Sequence, residues 1–237
     1  TNQTINTLPN ITIMKQSKSS RKNTQRILKS SDMNLENEIM KGAIYIRMPR
    51  CGSSSIVDLC NKNNIKTFGG KDMGFWGGNG ILKKNTSPNL YKCISNYVGK
   101  EVYNKSFVFT SVRNSYSRAV SMYKHMSWNS VKTFKEFCIA IKNEKYPTDC
   151  AKWHSSTLAE HIIDGNELKV DFAIKLETIQ HDFNTVCDKI GIPKQQLPFK
   201  NASKHTHYTD YYDNETKQIV AEKYAKDIEV FGYEFGD

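Results

Sequence analysis

The sequence contains no run of eighteen apolar residues, so no segment reads as a membrane-spanning helix. It also lacks a basic start followed by an apolar stretch, so no secretory signal is visible; the chain opens on Thr1, and the reading leaves the compartment open between the cytoplasm and the lumenal part of a secretory-pathway protein. There is no C-x-x-C pair. None of the six cysteines (Cys51, Cys60, Cys93, Cys138, Cys150, Cys187) has a histidine at ligand spacing, which argues against a zinc site and leaves most of them as buried thiols. Acidic side chains are in deficit, with 24 Asp and Glu against 34 Lys and Arg and a net charge of +10. That field favours an anionic partner or substrate: a phosphate, a sulfate, an acidic glycan or nucleic acid. What is present suffices for a core. A chain of 237 residues with 38% hydrophobic and 11% aromatic side chains is not wholly disordered and is long enough for one α/β domain of ordinary size.

Residues 1–41, rich in Asn, Thr, Ser and Lys, read as a polar N-terminal arm with a short helical suggestion around Asp32 to Met40. Its basic run from Lys15 to Lys29 is most simply a solvated tail. From residue 42 to 237 the pattern becomes that of a folded domain. Ala43 to Met48, a β-branched and aromatic run halted by Pro49, predicts a strand, and Ser55 to Cys60 a helix. A second strand is predicted at Ile65 to Phe68, followed by a Gly-rich loop from Gly69 to Gly78. Ser106 to Val112 is nearly continuous in apolar content, as expected for a parallel strand buried on both faces. A helix is predicted from Ser115 to Met126, then helices at 134–142 and 155–163, a strand at 171–176, a helix over 178–190 ended by Gly191, and a final helix over 214–229. Strands alternating with helices imply a parallel sheet covered on both faces.

Two strand-to-helix corners carry chemistry. In the first, Pro49 to Ser55, the small residues Cys51, Gly52, Ser53, Ser54 and Ser55 let backbone N–H groups close around a phosphate at a helix N-terminus, and Arg50 adds a fixed cation. The bland alternative is an ordinary Ser-rich helix cap. In the second, Ser111 to Tyr123, Arg113 ends a strand and Ser121 follows within the helix, so both can reach one phosphate. Here the alternative makes Arg113 and Arg118 surface cations.

Together the two segments resemble the cofactor-binding motifs of sulfotransferases that use 3′-phosphoadenosine-5′-phosphosulfate (PAPS). Pro49 to Ser55 follows the order of that family's 5′-phosphosulfate loop, with Arg50 in place of lysine. Arg113, Asn114, Arg118, Ser121 and Tyr123 are in register with its 3′-phosphate motif, with Ser115 where proline is usual. Asn201 to Lys204, Tyr211 to Asp213 and Tyr224 to Tyr233 are similar to the C-terminal end of carbohydrate (Golgi-type) sulfotransferases, as Asp171 to Glu177 with Asp182 and Phe183 is to their penultimate strand and helix. The resemblance covers about residues 43 to 235. It implies a three-layer α/β/α fold with a central parallel sheet of the P-loop nucleotide-binding type, and sulfuryl transfer from PAPS to a hydroxyl acceptor, most simply a carbohydrate, without a metal. The implied cofactor contacts are Arg50, Cys51, Gly52, Ser53, Ser54, Ser55, Arg113, Ser121, Ser203 and Lys204.

Arginine at position 50 cannot serve as a proton donor to the leaving phosphate, because its pKa exceeds about 12; its role is electrostatic. Two residues compete for the general base, with Asp72 slightly favoured because the loop after the second strand opens at the carboxyl edge of the sheet, where open α/β folds bind ligands. Asp72, in Lys71 to Trp76, looks like the acidic residue of the corresponding segment in heparan sulfotransferases, with Gly74 where they have histidine, and the alternative is a solvated lid. His154, beside Trp153, has the intrinsic pKa for abstracting a hydroxyl proton, or is simply a packed histidine. His125, His161, His181, His205 and His207 look less well placed. Glu177 orients a neighbour or caps the next helix, and Tyr224, Phe231 and Tyr233 belong to the core. The competing readings are a nucleotide kinase of related fold and a basic nucleic-acid-binding protein, for which no recognition motif is present.

Overall fold

The computed structural model describes residues 42–69, 89–125, 131–198 and 206–237, all within one compact unit, Ile39–Asp237. The expected arm at 1–41, Asp72 and the rest of its loop, and Ser203, Lys204 and His205 lie outside the described residues.

The first strand, β1 (Ala43–Ile46), is buried along its whole length because it lies between two cores. Its alternation sends Ala43 and Tyr45 to one face of the sheet and Ile44 and Ile46 to the other. Fully burying one such aliphatic side chain contributes roughly 1.5–3 kcal/mol. β1 pairs in parallel with β2 (Lys66–Phe68) on one side and β3 (Phe107–Val112) on the other, and β3 pairs with β6 (Phe172–Lys175). The order β2-β1-β3-β6 makes a four-stranded parallel sheet. The polar residues within β3 are satisfied across the strands. Thr110 Oγ1 donates to the Ile46 carbonyl at 2.8 Å, and Ser111 Oγ shares a 2.7 Å hydrogen bond with Tyr45 OH.

Helices cover both faces. On the Tyr45 face, α1 (Ser53–Lys62) contributes Ile56, Leu59 and Cys60, while α8 (Ile179–Ile190) contributes Phe183, Val186 and Cys187. On the Ile44 face lie α2 (Leu90–Val98) and Tyr103 of α3 (Lys100–Lys105), with Trp153 of α6 (Asp149–His154). A third, aromatic-rich core joins α4 (Ser115–His125), α5 (Phe134–Lys142) and α9 (Asn214–Lys223). The three-layer α/β/α arrangement with a central parallel sheet is therefore present.

Two expected helices differ. The span 155–163 is not one helix: α6 stops at His154, and the four-residue α7 (Ala159–Ile162) leads into a small antiparallel hairpin of β4 (Ile163–Asp164) and β5 (Glu167–Leu168). The reason is tertiary. Carbonyls of His154, Ser155 and Ser156, which a continuing helix would offer to its own amides, accept instead from Arg118 and Tyr224. The span 214–229 is broken at Tyr224 (φ −111°, ψ 24°) into α9 and α10 (Ala225–Phe231). There the Tyr224 hydroxyl donates to the Ser155 carbonyl at 3.0 Å, and the apolar spacing of Ile219, Val220 and Tyr224 survives the break.

Candidate functional site

The carboxyl ends of β1 and β3 are neighbours, paired at Ile46 and Thr110. From β1 the chain crosses to β2 on one side, while β3 and β6 extend the sheet on the other. That is the switch point at which open α/β sheets bind ligands, and both corners singled out in the sequence open there.

In the first corner Arg50 takes φ +64° and Gly52 φ +72°, so the chain turns twice through the left-handed region before α1 begins. At Gly52 a side chain would also meet Leu176, whose Cδ1 lies 2.5 Å from an ideal Cβ. The helix start has no side-chain cap. Among the described residues no acceptor takes the amide N–H of Arg50, Gly52, Ser53 or Ser54; the Cys51 N–H closes the Pro49–Arg50 turn, and the next bond runs from Ser55 N to the Gly52 carbonyl. Cys51 is buried with its thiol pushed up to about 12 by burial, so it is a neutral wall of the loop.

In the second corner Asn114 begins α4, its Oδ1 accepting from Tyr116 N at 2.9 Å. One face of α4, at i, i+3 and i+4 spacing, then addresses the first corner turn by turn. Arg113 Nε and Nη2 donate to Ser117 Oγ at 3.0 and 2.8 Å, and Nη1 reaches the Arg50 carbonyl at 3.5 Å. Arg118 Nε donates to the Pro49 carbonyl at 3.3 Å. Arg50 Nε and Nη2 donate to Ser121 Oγ at 3.0 and 2.9 Å. Ser121, expected beside Arg113, is thus joined to Arg50. Neither Arg50 nor Arg113 makes an ion pair with a carboxylate of the described residues. Burial first, and then the charge of Arg113, disfavours the Arg50 cation. Burial does the same to Arg113, partly offset by Cys51 and Glu177. Two half-buried guanidinium groups that make no ion pair with a described carboxylate, beside a set of amide donors, form an arrangement able to hold an anion.

A model of the Sulfotransferase family matches residues 40–234. The chain belongs to the sulfotransferase family. Neither a curated protein nor a solved structure matches it. Sulfuryl transfer is the chemistry of this family, and the α/β layers with both corners lie inside the matched span.

The structure places further residues of the sulfotransferase corner that the sequence left ambiguous. Arg118 is no surface cation: it is 0% exposed, 3.5 Å from Asp227 Oδ2, with its guanidinium 5.5 Å from the centre of the Tyr224 ring. Glu177 orients neighbours. Its Oε1 accepts from Asn114 N at 2.9 Å and its Oε2 from the Tyr233 hydroxyl at 3.0 Å. Tyr224, Phe231 and Tyr233 are core residues, as expected.

His154 is 8% exposed and lies next to the loop through Arg118, whose Nη2 donates to the His154 carbonyl at 3.0 Å. Its Nδ1 is 2.8 Å from the Cys150 carbonyl, which can only accept, so Nδ1 carries the proton and the neutral ring's lone pair is on Nε2. Burial, then the charges of Arg50 and Arg118, lowers its pKa against the pull of the Cys150 bond. His125, passed over in the sequence, stands one turn beyond Ser121 on the same face of α4, and burial and Arg50 lower its pKa. The i+4 spacing from Ser121 was the available signal. A cleft of about 400 Å³ beside α5, lined by Val131, Ile139 and Tyr146 among others, contains no residue of either corner.

Proposed function

We propose that this sulfotransferase moves a sulfuryl group from PAPS to a hydroxyl of an acceptor, a carbohydrate by the resemblance of its C-terminal segments. The observation that carries the reading is the group of four amides, at Arg50, Gly52, Ser53 and Ser54, that have no acceptor among the described residues, flanked by Arg50 and Arg113, which make no ion pair with a described carboxylate. PAPS has two anionic ends, and two arginine-bearing corners fit them. The loop from Cys51 to Ser55 with Arg50 takes the 5′-phosphosulfate, Arg113 with Ser121 takes the 3′-phosphate, and Ser203 and Lys204 complete the nucleotide site. The donor supplies an activated sulfuryl group whose departure leaves negative charge on phosphate oxygens. Arg50 and the amides stabilise that charge without giving up a proton. Asp72 and His154 remain the two groups proposed to take the acceptor's proton. His154 is supported by the Nδ1–H tautomer, which leaves the lone pair on Nε2, and by burial and neighbouring cations that disfavour the charged ring.

The test is thermal melting with 3′,5′-bisphosphoadenosine, without magnesium, against ATP-magnesium and DNA. At a hundredfold excess over its Kd the bisphosphate contributes about 2.7 kcal/mol, which for a chain of this size raises Tm by roughly 5–11 °C. A larger shift with ATP-magnesium and none with the bisphosphate indicates a kinase, and one with DNA alone a nucleic-acid-binding protein.

A further inference from the structure

We propose that Arg118 is a positioning residue that holds the anion loop open toward its ligand. This rests on the reading of residues 50–54 as the seat of the donor's 5′ end. In a trans peptide the carbonyl of one residue and the N–H of the next point to opposite sides. Arg118 Nε draws the Pro49 carbonyl inward at 3.3 Å, so the Arg50 N–H is turned outward. The left-handed conformations of Arg50 and Gly52 then curl the successive amides into a concave, anion-binding arc. A non-glycine residue in that region is strained, and it persists only where its surroundings hold it.

Arg118 is itself held by buried partners. Its charge is paired with Asp227, 1% exposed, whose carboxylate also accepts from Leu158 N at 2.9 Å and Ala159 N at 2.8 Å. Its Nη2 donates to the carbonyls of His154 and Ser156 at 3.0 and 2.7 Å. One planar, five-donor group therefore ties the loop before Arg50, the turn after His154 and, through Asp227, α10 into a single unit. A lysine keeps the charge and cannot span these acceptors. Holding the amides in place before the ligand arrives lowers the ordering cost of binding.

The test measures binding of 3′,5′-bisphosphoadenosine and of 3′-AMP, which lacks the 5′-phosphate, to the full chain and to two variants: Arg118→Lys, and the double variant Arg118→Met/Asp227→Leu. The double variant removes both buried charges together and leaves neither unpaired, so it keeps the question decidable if the lysine variant does not fold. In a variant that melts cooperatively, the bisphosphate is expected to weaken about tenfold or more while 3′-AMP changes by less than about twofold, the scale of losing an ordered charged hydrogen bond at one end only. Equal weakening of both nucleotides makes Arg118 a merely structural residue and overturns the proposal, as does unchanged bisphosphate affinity in a folded variant. Failure of the unmodified chain to bind bisphosphoadenosine overturns the site reading and this assignment with it.

Discussion

Arg50 shows how far one side chain can be read. Lysine at this position of the resembling motif would offer a proton; arginine offers a permanent charge in a fixed fork. Arg50→Lys is accordingly expected to keep appreciable turnover, whereas Arg50→Ala loses roughly a hundredfold or more, with nucleotide affinity falling less than kcat. Single-turnover rates with nucleotide titrations check this, and an alanine variant of near-normal rate refutes it. For the base, His154→Ala is expected to lower kcat by about a hundredfold to ten-thousandfold at nearly unchanged bisphosphoadenosine affinity, with Asp72→Asn as the opposing arm. If only the asparagine variant fails, the aspartate is the base. The pH profile is a second check. Burial first, and then the charges of Arg50 and Arg118 and the His125 ring, lower the His154 pKa. A base acts deprotonated, so kcat/KM should rise with pH through a value below the ordinary histidine pKa of about 6.5 and be flat at neutrality. The same depression makes the His154 contribution to stability present above about pH 6.5 and progressively lost as pH falls through the folded value, because the unfolded chain takes up the proton first.

At the scale of elements, α4 is the organising piece. Its successive turns present Ser117 to Arg113, Arg118 to Pro49 and Ser121 to Arg50, so a rotation of the helix would disturb both corners at once. The approach of the β6–α8 junction sets the other wall. Gly52 lies against Leu176 and Ile179 at a positive φ, so Gly52→Ala combines left-handed strain with a contact of 2.5 Å. It is expected to lose about 1–2 kcal/mol of stability from the backbone alone. Denaturant melts measure this, and bisphosphoadenosine binding should weaken in the folded variant. Unchanged stability and affinity would mean that the loop relaxes freely.

For the whole molecule, the charge of +10 acts at longer range than any contact and raises the local concentration of an anionic donor. Bisphosphoadenosine affinity is therefore expected to fall steadily between low salt and ~0.15 M salt, where the screening length shrinks to about 8 Å. Titration calorimetry at several ionic strengths measures it. Affinity independent of salt would locate all the recognition in short-range hydrogen bonds.

What the chain's local order determines is the part that period and spacing can encode. The apolar, β-branched and aromatic run from Ala43 to Met48, the apolar run from Ser106 to Val112 and the small residues between Arg50 and Ser55 are local facts, and they predict two parallel strands with an anion-binding corner after the first. Burial of Arg118 was not legible, because an arginine in a helix reads as solvated until Asp227, over a hundred positions later, is brought beside it. The same long-range pair explains why 155–163 is not one helix: propensity there is outweighed by acceptors and donors arriving from α4 and α10. The tautomer of His154 and the effect of the Arg50 charge on His125 depend on which elements pack together. Such contacts follow from closure of the three layers around the sheet, and a one-dimensional pattern carries no term for them.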